Sequence, residues 1–191
     1  MSRWEPNAPE RLVGAAVELF VERGYESVTV TEIAERAGLT KRTFFRHYAD
    51  KREILFGGPQ PAHGGLLADA IAGAPATATP LEAISAGLQA IAADFGEDRR
   101  DFLAQRQAII DANPDLQERD LLKRAALTAA MADALGKRGV KEPTAGLAAQ
   151  VGALAFGAAF LRWLRPANRR TLTKLAEQAL RELSAATEAL R

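Results

Sequence analysis

The chain has 191 residues, with 25 Lys and Arg against 24 Asp and Glu, a net charge of +1 and 48% hydrophobic residues. That balance excludes an intrinsically disordered or acidic-tail protein, and it excludes a globally basic coat for nucleic acid or anionic lipid, so any such contact must come from a local patch. The absence of Cys excludes disulfides and Cys-ligated metal centres.

Helix caps punctuate the sequence in order. The run Asn7-Ala8-Pro9-Glu10 combines an N-cap Asn, a first-turn Pro and an N3 Glu. Apolar positions Leu12, Val13, Ala16, Val17, Leu19 and Phe20 follow, most of them on one helical face, and Gly24 ends them. Thr29-Val30-Thr31-Glu32 is a capping box that opens a second short helix to Ala37, stopped by Gly38. Thr40 caps a third helix, Lys41 to Tyr48, and Asp50-Lys51-Arg52-Glu53 predicts a fourth that runs through Phe56. Gly57-Gly58-Pro59-Gln60-Pro61 is the strongest break and sets the expected boundary between a domain 1–56 and a domain 57–191. Beyond it, Thr79-Pro80, Asn113-Pro114 and Glu142-Pro143 each start a helix, and Arg165-Pro166-Ala167-Asn168 closes a long one. No alternating run is long enough for a strand. The expectation is an all-α fold of nine to ten helices.

Residues 29–52 carry the chemistry. Two short helices joined by a tight glycine turn have the form of a helix-turn-helix, with Ala34 small where the partner helix approaches. From Arg36 to Arg52 there are six basic residues (Arg36, Lys41, Arg42, Arg46, Lys51, Arg52) against Asp50, or +5; residues 1–35 hold three basic against seven acidic, or −4. Such polarity suits one cationic face turned to phosphates. Lys41, Arg42, Thr43, Arg46 and His47 supply donors, since Arg pairs bidentately with guanine and Thr meets a thymine methyl. Lys51 is placed to hold a phosphate with the amides of the fourth helix. The same spacing also fits any αα-hairpin with a solvated basic face.

Residues 9–56, through the run Ala15-Ala16…Leu19-Phe20…Gly24-Tyr25…Val28-Thr29-Val30…Ile33-Ala34…Ala37-Gly38-Leu39-Thr40-Lys41-Arg42-Thr43-Phe44-Phe45-Arg46-His47-Tyr48…Lys51…Leu55, resemble the DNA-binding domain of TetR-type (TetR/AcrR) transcriptional regulators, over a quarter of the chain. The resemblance implies a homodimer, a three-helix DNA-binding domain with a fourth linking helix, a larger helical effector domain, and ligand-released repression at a palindromic operator. By position it implies that Lys41, Arg42 and Thr43 face base edges and that Thr31 reaches a base or phosphate. Thr40, Phe45, His47, Tyr48 and Lys51 then lie along the DNA backbone. Two features depart from the family pattern. Phe45 stands where Tyr is common, and the break at Gly57-Gly58 comes early for the linking helix.

In the second domain, Thr144–Leu164 is almost wholly apolar or small, interrupted by Gln150 and Arg162. One face reads Leu147, Val151, Leu154, Ala158, Leu161; the last helix repeats a stripe of Leu172, Leu175, Ala179, Leu183, Ala186 and Leu190. Two such helices meeting a second copy would form a four-helix dimer seam. A central core helix of a monomer, or a membrane span, would show the same composition in the first of them. Phe95, Phe102, Phe156, Phe160 and Trp163 are candidates to line an effector pocket, with Arg106, Gln107 or His63 as polar anchors and Arg106 as the group for an anionic effector. Each aromatic is equally at home in a core, and His63 reads as a loop residue.

No catalytic motif occurs, and two His (His47, His63) are too few for a His-rich metal site. We therefore expect no enzyme, no cofactor and no bound metal. The opening Met1-Ser2-Arg3-Trp4-Glu5-Pro6 lacks an apolar h-region, so the expected location is cytoplasmic. Expected partners are double-stranded DNA, a second copy of the chain and a small hydrophobic or anionic effector, with no membrane. The alternatives are a regulator without a small-molecule effector, or an all-α enzyme or interaction module.

Overall fold

A computed structural model describes residues 7–57 and 63–189; Leu190 and the break residues Gly58 to Pro61 lie outside the described residues. Helix α1 (Ala8–Arg23) starts where the Asn7 side chain accepts the Glu10 amide at 3.1 Å, and it stops at Gly24. Helix α2 (Val30–Arg36) has the full capping box: Thr29 Oγ1 accepts the Glu32 amide while the Glu32 carboxylate accepts the Thr29 amide. Helix α3 (Lys41–His47) is capped by Thr40.

The fourth helix expected from Asp50 to Phe56 is a single 3-10 turn, Glu53–Leu55. Asp50 accepts the Glu53 amide at 2.9 Å, but the residue at the N-cap of the turn is Arg52, whose side chain makes no cap bond. The Gly57 amide then turns back to the Glu53 carbonyl at 2.8 Å, and the turn goes no further.

The remaining helices are α4 (His63–Ala72), α5 (Pro80–Asp94), α6 (Arg100–Asp111), α7 (Pro114–Lys137), α8 (Glu142–Trp163) and α9 (Leu172–Glu188), with a second 3-10 turn at Glu97–Arg99. His63 therefore opens a helix instead of lying in a loop. No strand occurs among the described residues.

The chain divides into two compact units: Met1–Gln60 with Phe102–Asp120, and Pro61–Asp101 with Leu121–Arg191. The expected division at 56/57 is thus corrected for residues 102–120. Ile109, Ile110 and Leu116 join the same core as Leu12, Phe20, Ile33, Phe44 and Ile54. Polar bonds reinforce the join. Arg119 forms a two-pronged bond to the Glu53 carboxylate at 2.6 and 3.0 Å, and Arg106 Nε donates to the Leu55 carbonyl. Both guanidinium groups lie 5.4 Å from the Phe56 ring, a cation–π distance.

In the second unit α5 packs on α4, α8 and α9, and α8 packs on α9. Close approach of α5 and α8 depends on Gly152, where an added Cβ would stand 2.5 Å from Ile84 Cγ2. Among the described residues α8 is the one helix long and apolar enough to cross a membrane by length and composition. Here its inner face, Ala148, Val151, Ala155, Ala159 and Trp163, is buried within the unit.

This packing corrects part of the expected dimer seam. Leu172, Leu175 and Ala179 of α9, and Val151 of α8, are buried inside their own unit. Leu147, Leu154 and Leu161 are 64%, 63% and 47% exposed and line one edge of α8 at seven-residue intervals; Ala158 and Leu183 are half-buried.

Candidate nucleic-acid interface

Helices α2 and α3 are set at their angle by a tight turn in which Gly38 takes φ +64°, a left-handed conformation that costs an L side chain energy. Leu39 N donates to the Ala34 carbonyl at 2.8 Å across the turn. Arg11 of α1 completes it by donating to the Ala37 carbonyl at 2.6 Å. That bond spans 26 residues, and sequence reasoning missed it because no local signal marks it. Two ion pairs brace α2 against α1: Arg23 to Glu32 at 2.7 Å, and Arg36 to Glu22 at 3.0 Å with Glu18 at 3.5 Å. The Thr29 hydroxyl and amide, followed by Arg23, hold the Glu32 carboxyl down at about 2.

These pairings reduce the cationic count. Arg36 is spent on Glu18 and Glu22, and Arg52 lies 3.9 Å from Asp50. Among the described residues, Lys41, Arg42 and Arg46 are exposed with no carboxylate partner, and all three project from α3. Thr31, Thr40, Phe45 and His47 are exposed beside them. Thr43 is half-buried, and its hydroxyl lies 3.0 Å from that of Thr40. Of the expected residues, all but Thr43, Tyr48 and Lys51 are exposed, and the last two depart from the expectation.

Tyr48 is the first. It is 4% exposed, its ring packs 5.6 Å from Phe44, and its hydroxyl donates to the Pro9 carbonyl at 3.4 Å. Burial pushes its pKa up to about 12, and with its ring in the core the side chain is not displayed to the DNA backbone. Lys51 is the second. It belongs to no helix, and its ammonium donates to the Tyr25 carbonyl at 2.8 Å while standing 4.2 Å above the Tyr25 ring. Its ammonium is thus held by the Tyr25 carbonyl and ring and not by the amides of a fourth helix.

The expected effector set is divided between the units. Phe95, Phe156, Phe160 and Trp163 form one aromatic cluster with neighbouring centroids 5.5–6.3 Å apart. His63 stacks on Phe95 at 5.1 Å. Trp163 is fully buried, and its Nε1 donates to Glu97 at 3.0 Å. Phe102, Arg106 and Gln107 instead belong to the first unit. Phe102 packs against its core, Arg106 holds the Leu55 carbonyl, and the buried Gln107 donates to Asp111 at 2.8 Å. Arg106 Nε is thus engaged within the first unit.

Asp94, which the sequence did not single out, lies 3.3 Å from His63 Nε2. Burial pushes the His63 pKa down, assisted by Lys123 and opposed by Asp94. Among the described residues no group of three or more His, Asp or Glu is placed to hold a metal ion.

Known proteins share both parts of this architecture. Residues 12–56 match the family model "Bacterial regulatory proteins, tetR family", and residues 78–188 match that of the MftR C-terminal domain. The HTH-type transcriptional regulator TcmR of Streptomyces glaucescens is 39% identical over 82 residues, 43% of this chain and 36% of its own length. BetI of Rhizobium meliloti, also an HTH-type transcriptional regulator, is 34% identical over 82 residues, 43% of this chain and 40% of its length. The matches thus span well under half of these relatives. Among solved structures, SmeT, repressor of the Stenotrophomonas maltophilia multidrug efflux pump SmeDEF, aligns with TM-score 0.59 and 19% identity over 93% of this chain and 89% of its own. NalD of Pseudomonas aeruginosa, secondary repressor of the MexAB-OprM pump, gives 0.58 and 19% over 93% and 95%. At that identity the likeness is one of fold. With one family model on the helix-turn-helix and a second over more than half of the chain, this protein belongs to the TetR family of bacterial regulatory proteins.

Proposed function

We propose that this transcriptional regulator binds a palindromic operator in the cytoplasm as a homodimer and represses from it until a small effector with an apolar body releases it. The observation that carries the reading is the exposed α3, bearing Lys41, Arg42 and Arg46 without carboxylate partners and held at a fixed angle by the Gly38 turn. Neutralising phosphates with these groups supplies affinity, while Arg42 and Thr43 facing base edges supply sequence choice. Thr31, Thr40 and His47 flank them. Two copies of α3 enter successive major grooves, about 34–36 Å apart.

Leu147, Leu154 and Leu161 support the second copy: three large apolar side chains left in water along one edge of α8 are costly unless covered. The aromatic cluster of Phe95, Phe156 and Phe160, all partly exposed, supports an apolar effector. Effector binding would act by favouring a dimer geometry in which the two reading helices no longer match the operator spacing. The family is one of regulators and not of enzymes.

The test is fluorescence anisotropy with duplexes from the DNA upstream of the protein's own gene that contain an inverted repeat. Expected are two chains per duplex, steep loss of affinity with salt, and weaker binding when one half-site is scrambled. One chain per duplex, or affinity indifferent to scrambling, overturns the proposal.

A further inference from the structure

We propose that Phe45 is a specificity-determining residue that reads the 5-methyl group of a thymine in each half-site. The inference rests on the operator-binding role above and names a contact within it. Phe45 is the most exposed aromatic side chain among the described residues, at 49%, yet its neighbour Phe44 is fully buried. The two rings meet edge-on, with centroids 5.4 Å apart and planes at 76°. Because Phe44 is fixed in the core, this contact pins Phe45 in place. Lys41, one turn earlier, holds its ammonium 6.0 Å from the ring centroid. The ring is thus a pre-positioned apolar plate beside a cation.

The chemistry of the surroundings narrows what the plate can meet. Lys41, Arg42, Arg46, His47, Thr40 and Thr31 all end in groups that exchange water for a phosphate or base edge. Phe45 has no donor or acceptor, so it gains only by covering apolar surface. In the major groove the apolar feature that varies with sequence is the thymine methyl. At about 100° per residue, Phe45 lies about 60° around α3 from Arg42. A ring in that position flanks the base pair that Arg42 addresses. Sugar carbons are the other apolar surface within reach, but they repeat at every nucleotide, so packing on them would carry no sequence preference.

The experiment selects operators from a random duplex library with the wild-type chain, Phe45→Ala and Phe45→Tyr, and then replaces each conserved thymine by deoxyuridine, which removes only the methyl. The wild type is expected to fix a thymine at the same place in both half-sites. Deoxyuridine there should weaken binding about fourfold per half-site, the worth of one buried methyl. Phe45→Ala should lose both the preference and the deoxyuridine response while keeping the salt slope, because no charge is removed. Phe45→Tyr, which retains the ring, should keep the response. The assignment is overturned by a wild-type operator without a deoxyuridine-sensitive thymine, by Phe45→Ala remaining equally sensitive, or by Phe45→Ala weakening every sequence alike, which would place the ring on the sugar. If the wild type enriches no sequence at all, operator reading itself fails and takes this inference with it.

Discussion

Replacing Lys51 by Met tests whether that lysine serves the fold or the DNA. The substitution keeps most of the apolar stem and removes the charge. Lost with the charge are the bond to the Tyr25 carbonyl at 2.8 Å, the weaker one to Glu26 at 3.4 Å, and the ammonium 4.2 Å above the Tyr25 ring. A hydrogen bond from a charged donor is worth roughly 1.5–3 kcal/mol net, and a cation–π contact at a part-exposed site about 0.5–1 kcal/mol. Lys51 is half-buried, so the low end applies and the sum is about 2 kcal/mol. If a chain of this size unfolds as one unit, that corresponds to a fall in melting temperature of about 4–8 °C. The assay pairs calorimetry with the salt dependence of DNA binding. The structure demands the fall in melting temperature with the salt slope unchanged. A variant that melts with the wild type but loses about one unit of slope refutes the reasoning and returns Lys51 to the phosphates.

Arg42→Ala should relax base preference at one position of each half-site; weakening that is uniform across sequences would make Arg42 a phosphate contact. Leu154→Glu with Leu161→Glu should give monomers by sedimentation that no longer hold an operator, and persistent dimers would place the seam elsewhere. Gly152→Ala drives a methyl to 2.5 Å from Ile84 and 3.3 Å from Met131, so it should destabilise by about 1–3 kcal/mol. Gly14→Ala, with nothing within 4 Å of the new Cβ, should stabilise by about 0.5–1 kcal/mol; urea midpoints moving in the same direction would contradict that pair. Glu32, held at about 2 against its ordinary 4.5, favours the folded state above pH 4.5 and loses that contribution as pH falls toward 2. The difference in melting temperature between wild type and Glu32→Gln should therefore be largest at neutral pH and shrink across that window, and a constant difference would contradict it.

The helix starts were legible because caps are local. Asn7, Thr29, Thr40 and Thr79 each bond an amide three residues on, within reach of a reader who sees only neighbours. The Gly38 turn was legible for the same reason. The Asp50 bond to the Glu53 amide was legible, but neither the position nor the length of the turn beside it was, since one local bond does not fix where a helix starts or how far it runs. Tyr48 was misassigned because position along a motif does not tell which way a side chain turns. Asp94 gave no signal at all until the fold set it beside His63.

By itself, then, the amino-acid order determined an all-helical chain, a capped helix pair with a glycine turn and a basic α3, because each depends on contacts within a few residues. Tertiary structure alone decided which of the basic residues remain unpaired, which stripe of α8 is left in water, and that residues 102–120 join the first unit. Those outcomes turn on partners far apart along the chain: Arg119 and Glu53 are separated by 66 residues, Arg106 and Leu55 by 51. Periodicity reveals that a helix has an apolar or charged face, but only the packed chain assigns that face a neighbour.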